Sequence, residues 1–188
     1  MKSWALKFTA GVILAGLLQT AALAWMVYDR VSLISDGREV VLKNVPVDPR
    51  DLFRGDYVIL NYEAAQLDLS KLPGDDKFTR RAPVYVVLAP GVDEGWQPVS
   101  VHKELPEVTA GQAVLRGIAR GSRSEKNSTL RVNYKVGRLF VPEGEGKVLE
   151  KKVREGDVYV VLAVADDGEA AVKALIVDGE RIYEESLF

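Results

Sequence analysis

Residues Phe8 to Tyr28 form 21 consecutive residues without a charge, broken only by Thr9, Thr20, Gln19 and two glycines. As a helix rising about 1.5 Å per residue, the run covers about 31 Å, close to the hydrocarbon thickness of a bilayer. A buried helix of a soluble protein rarely runs this long without a charge. Lys2 and Lys7 precede the run, whereas Asp29 and Arg30 follow it and cancel. The positive side is therefore the N-terminal one, which predicts that end in the cytoplasm and the rest outside. Trp4, Trp25 and Tyr28 fall near the two ends, where amphipathic rings prefer the membrane interface. A cleaved signal peptide is the rival reading, with Ala22-Leu23-Ala24 as its small-x-small site. The apolar run continues past that site through Trp25-Met26-Val27, which favours an uncleaved anchor. Either way the remaining chain is exported.

The expected division is residues 1–28 as cytoplasmic tip and transmembrane anchor, and 29–188 as one exported domain. The chain has no cysteine, so that domain is held by its core rather than by disulfides. Lys2 and Lys7 account for two of the 25 basic residues, which leaves 23 against 27 acidic ones beyond the anchor. A weakly acidic surface argues against nucleic acid as a partner. No polybasic run follows the anchor to capture lipid.

Past the anchor the pattern becomes strand-like. Glu39 to Leu42, Tyr57 to Tyr62, Val84 to Ala89, Trp96 to Lys103, Gln112 to Arg120 and Thr129 to Val136 are β-branched, apolar or alternating. Val148 to Val153, Val158 to Ala165, Ala170 to Val177 and Arg181 to Tyr183 continue the series, with hairpin turns at Asp166-Asp167-Gly168 and Asp178-Gly179. Ala64 to Leu72 suits one or two helical turns or a leucine-pinned loop. Gly121 to Ser128 reads as an exposed loop. The expected fold is mainly β: an antiparallel barrel or sandwich-like domain behind one transmembrane helix, with few short helices. VYVVLA occurs at Val84–Ala89 and again at Val158–Ala163. The similarity fades beyond the following hairpin, which favours two separate core strands over a repeat.

Groups for chemistry are sparse. His102 is the one histidine, on the outer alternation of a strand, so a histidine triad or a His/Cys zinc site has nothing to build on. Asp48, Asp51, Asp56 and Glu63 could offer oxygens to a hard cation, but their spacing is not that of an EF-hand, and Asp with proline makes good turns. Glu143, Glu145 and Glu150 interleave with glycines as in a solvated loop, and Asn127-Ser128-Thr129 is a glycosylation sequon that matters only in a glycosylating host. No catalytic residue, cofactor or metal site is expected. Arg50 and Arg54 lie near enough to pair with Asp51 or Asp56. Tyr57 and Tyr62, five apart, fall on opposite faces of a strand.

The segment VDPRDLFRGDYVILNYEA, Val47 to Ala64, resembles the signature of the GDYXXLXY protein family, with Gly55, Asp56, Tyr57, Leu60 and Tyr62 at the named positions. VNYKVGRLFVPEGEGKVLE, Val132 to Glu150, is similar to a second block of that family, with Lys135 where glycine is common. The resemblance implies a bacterial inner-membrane protein with an N-terminal anchor and a periplasmic domain. It also implies a multi-spanning membrane protein as partner, and it carries no activity. Asp48, Pro49, Arg50, Arg54, Gly55, Asp56, Tyr57, Leu60 and Tyr62 are the expected contact residues, and the bilayer meets Phe8 to Tyr28. The expected role is a non-enzymatic accessory protein of the envelope. A more distant echo is type I signal peptidase, which also places an anchor before a β-rich domain and a Gly-Asp before a strand. Pro46 occupies the position of its nucleophilic serine here, and Ser32 and Ser35 lie too early to replace it. The alternatives are a hydrolase of that kind, favoured by Ser32 or Ser35 beside a buried lysine, and an envelope ligand-binding module, favoured by a pocket lined by Tyr57, Tyr62 or Trp96.

Overall fold

The computed structural model describes residues 2–45, 57–91, 95–120, 128–140 and 156–185. Helix α1 (Lys2–Asp36) is long and apolar enough to cross a membrane. From Gly11 to Val27 its side chains are exposed on every side, as a lipid-facing helix requires. Thr20 donates its hydroxyl to the Gly16 carbonyl at 2.9 Å, so this polar group is satisfied within the helix. The helix continues eight residues past Tyr28, and Ile34 is its first buried side chain. A single residue, Gly37, separates it from the first strand. A Cβ there would strike the Leu33 carbonyl and lie 3.0 Å from the Val164 nitrogen, so only glycine allows this close a junction.

The strands follow in chain order: β1 (Arg38–Lys43), β2 (Tyr57–Ile59), β3 (Gln66–Asp68), β4 (Pro83–Pro90), β5 (Trp96–His102), β6 (Ala113–Arg120), β7 (Thr129–Asn133), β8 (Arg138–Phe140), β9 (Val158–Val164), β10 (Ala170–Val177) and β11 (Glu180–Glu184). They form a four-stranded sheet β1-β9-β10-β11, a five-stranded sheet β3-β7-β6-β4-β5 and a ribbon β2-β8, all antiparallel. The mainly β class is as the alternation indicates. The five-stranded sheet is a nearly closed barrel. The chain leaving edge strand β3 returns along the other edge, β5, where Val101 donates to Pro73 O at 3.1 Å and Asp75 to Val101 O at 2.8 Å. Gly74 makes that approach possible, with φ +118 and its Cα side facing the Val101 carbonyl.

Both sheets bury one core, in which Val40, Leu42, Val160, Leu162 and Leu175 meet Val84, Val86, Leu88 and Leu115. Apolar area removed from water at about 25 cal/mol per Å² is what holds a domain without disulfides. The β9–β10 turn also joins the sheets, as Gly168 O accepts Arg116 N at 2.8 Å. Asp178-Gly179 has φ of 52° and 82°, the primed turn that suits a two-residue hairpin.

The two VYVVLA copies are β4 and β9. Each is a central strand, but in different sheets. β9 is buried at every residue because the end of α1 packs against β9 and β10, whereas Tyr85 of β4 is only half-buried. Local structure departs from expectation after Tyr57. Strand β2 stops at Ile59, a single 3-10 turn spans Glu63–Ala65, and β3 follows in place of further helix. The turn is short because Leu67 and Leu69 alternate into the core from extended backbone. Strand β8 was not anticipated at all. The expected strand Val148–Val153 and the loop up to Asn127 lie outside the described residues.

Candidate functional site

The two signature blocks pair with each other. Tyr57, Val58 and Ile59 stand opposite Phe140, Leu139 and Arg138, and Leu60 N donates to Gly137 O at 3.0 Å. Leu60 is buried at 2 % exposure with Val58 and Leu139. Tyr62 donates its phenol to Val136 O at 2.5 Å, and Tyr134 donates its own to Ala64 O at 2.5 Å. Each block thus caps a carbonyl of the other. The two rings meet edge to face, 6.3 Å between centroids, a favoured aromatic geometry. Burial pushes both phenols well above the usual tyrosine range. Lys135 has φ +62, a left-handed conformation that glycine adopts freely, which explains why glycine suits this position.

Of the nine expected contact residues, then, Leu60 and Tyr62 are architectural. Tyr57 enters β2 through its backbone. Asp48, Pro49, Arg50, Arg54, Gly55 and Asp56 lie outside the described residues. The chain departs toward them at Val45, whose amide donates to Asn61 O at 2.6 Å. Beside it Asn44 accepts the Asn61 amide at 2.8 Å through Oδ1 and is 4 % exposed. Its Nδ2 has no partner among the described residues. This departure point lies at the far end of β1 from α1, about 17 Å along the strand.

At that same end the two sheets enclose a cleft of about 510 Å³, within the range of small-molecule sites. Lys43 and Tyr159 line it from the four-stranded sheet, and Leu67, Asp68 and Trp96 from the five-stranded one. The Lys43 ammonium lies 3.3 Å from Asp157 and 5.7 Å from the centre of the Tyr159 ring. The Asp157 carboxylate raises its pKa. Asp68 accepts the Ser70 hydroxyl at 2.6 Å and the Ser70 amide at 3.1 Å, bonds that hold its carboxyl below the ordinary value. Lys71 stands 3.8 Å from Asp68. Both charge signs and an aromatic wall give the cleft the means to orient a small polar molecule. Of the aromatic residues whose presence in a pocket would favour ligand binding, Trp96 lines the cleft, whereas Tyr62 is buried in the core. Lys43, Asp68, Lys71 and Tyr159 were missed, because β1, β3 and β9 bring them together across more than a hundred residues.

Ser32, Ser35 and His102 are placed away from the cleft. Ser32 donates to Asp36 at 3.1 Å on the end of α1, and Ser35 is exposed on the same turn. His102 Nε2 lies 2.9 Å from Ser100 Oγ on β5, half-buried, and neither lines the cleft. Among the described residues no group of three or more acidic or histidine side chains converges as a metal site would.

Comparison with curated proteins and with solved structures found no match. The GDYXXLXY protein family matches residues 19–175, from within α1 to β10, and includes both tyrosine-locked blocks. The chain belongs to the GDYXXLXY protein family.

Proposed function

We propose that this chain is a non-enzymatic accessory protein of the bacterial cell envelope, working beside an integral membrane partner. In this reading Phe8 to Tyr28 cross the inner membrane, the N-terminus is inside and the β body is periplasmic. The observation that carries it is α1. The helix is apolar around its whole circumference and is coupled to β1 through Gly37 alone, so the body stays close to the bilayer. The proposed contact region is the loop Asp48 to Asp56. Purification of the full chain in mild detergent, followed by mass spectrometry, tests the role. A stoichiometric membrane protein should accompany the wild type and be lost on Asp56→Ala or Arg54→Ala. Retention by both variants removes the loop as the contact region, and the absence of any such companion removes the accessory role.

The cleft beside Trp96 supports a second reading, an envelope module that holds a small polar ligand bearing both charges. The hydrolase reading gains no support. It needs a serine within reach of a neutral lysine, and the Ser32 hydroxyl is directed at Asp36.

A further inference from the structure

Cations concentrate on the outer face of β4, β6 and β7. Alternation turns Arg116 and Arg120 outward from β6, since Leu115, Gly117 and Ala119 are buried. It turns Arg131 outward from β7 as well, since Leu130 and Val132 are buried, and Lys135 is exposed just past the end of that strand. Arg80 and Arg81 join them from the connection into β4, where Arg81 N donates to Ala119 O at 3.0 Å. Arg120 and Arg131 stand directly opposite each other in the ladder, an unfavourable placement for like charges. Among the described residues none of these six has a carboxylate within ion-pair distance. Two adjoining clefts of about 370 and 440 Å³ open here, and among the described residues Glu169 is the one carboxylate that lines them. Such a face on a chain of net charge −2 calls for an anion.

The position of this face indicates which anion. Ala170 lines the first cleft, pairs with Val164, and Val164 pairs with Arg38. The cleft edge is therefore two strand spacings, about 10 Å, from the root of α1. The helix itself runs eight residues past its uncharged stretch, about 12 Å. That distance carries it through the headgroup layer, which is on the order of 5–8 Å deep. The Arg116 edge of the face, bonded to Gly168 beside Ala170, is therefore the part nearest that surface, and Arg131, opposite Gln66, is the part farthest from it. Arginine's planar fork matches phosphate oxygens, and stacking of Arg116 on Tyr85, 6.0 Å from the ring centre, holds one fork in place.

We propose that this face binds headgroup phosphates of anionic phospholipids in the leaflet from which α1 emerges. The proposal rests on α1 being a membrane span, but not on any protein partner. Native mass spectrometry of the full chain in mild detergent, titrated with phosphatidylglycerol or phosphatidylcholine, tests it. Phosphatidylglycerol should bind at least tenfold more tightly, and Arg116→Gln with Arg120→Gln should weaken it on the order of 30-fold. Both positions are exposed, and an unchanged thermal transition will show that the double variant is folded. Removing a cation elsewhere, by Lys103→Gln on the connection after β5, should leave lipid binding unchanged. Equal binding of the two lipids, or no loss in the Arg116/Arg120 variant, overturns the proposal. So does displacement of the lipid by millimolar inorganic phosphate, which marks a free-anion site, or retention of an oligonucleotide in its place.

Discussion

Replacing Tyr62 and Tyr134 together by phenylalanine should destabilise the protein by about 4 kcal/mol and flatten its decline in alkaline solution. Each substitution removes one phenol donor and leaves a buried carbonyl, Val136 O or Ala64 O, without it. That costs about 2 kcal/mol per site. The pH dependence follows from the sign of the shift. Burial raises both phenols above the unfolded tyrosine value of about 10. Below that pH both states are protonated and the full stabilisation is present. Above it the unfolded chain releases two protons that the folded chain keeps. Stability then falls by about 2.7 kcal/mol per pH unit. The double phenylalanine variant loses this slope. It keeps the smaller contribution of Tyr183, which is raised first by burial and then by its bond to Glu185. Urea denaturation at pH 8 and pH 11 reads both effects. A variant within about 1 kcal/mol of wild type, with the same alkaline loss, would show that the tyrosines do not lock the two blocks.

Gly74→Ala should cost at least about 3 kcal/mol and open the barrel at one seam. Gly74 has φ +118, which side-chain-bearing residues rarely adopt. A Cβ there would also collide with the Val101 carbonyl, a backbone group that cannot swing away. The chain would have to withdraw from β5, releasing the bonds from Val101 to Pro73 and from Asp75 to Val101. Hydrogen exchange should then show lost protection at the Val101 and Asp75 amides, with β9 and β10 unaffected. Loss spread evenly over both sheets would mean that the seam is not a separate element.

Much of this architecture is legible in the sequence, for physical reasons. The helix announces itself because 21 residues without a charge are long and apolar enough to cross a bilayer. Strands β4 and β9 show as continuous apolar runs because both are central, and β10–β11 shows because a primed turn needs Asp178-Gly179. The blocks around Tyr62 and Tyr134 were specific enough to indicate the family, and its match over residues 19–175 agrees. Strands β3 and β8 escaped because three residues carry too little alternation to register. The pairing of β2 with β8 escaped because nothing local links segments some 80 residues apart. The same limit hid the cleft. The basic face was invisible for a related reason. Arg80, Arg116 and Arg131 are scattered along an acidic chain, and only the β4-β6-β7 order collects them on one side.

Membrane topology is the most direct measurement. The proposed topology requires that alkaline phosphatase fused behind Phe188 be active in bacterial cells, and that a green fluorescent protein fused at the same point stay dark. An inactive phosphatase together with bright cytosolic fluorescence would contradict the anchored, exported arrangement and the envelope role built on it.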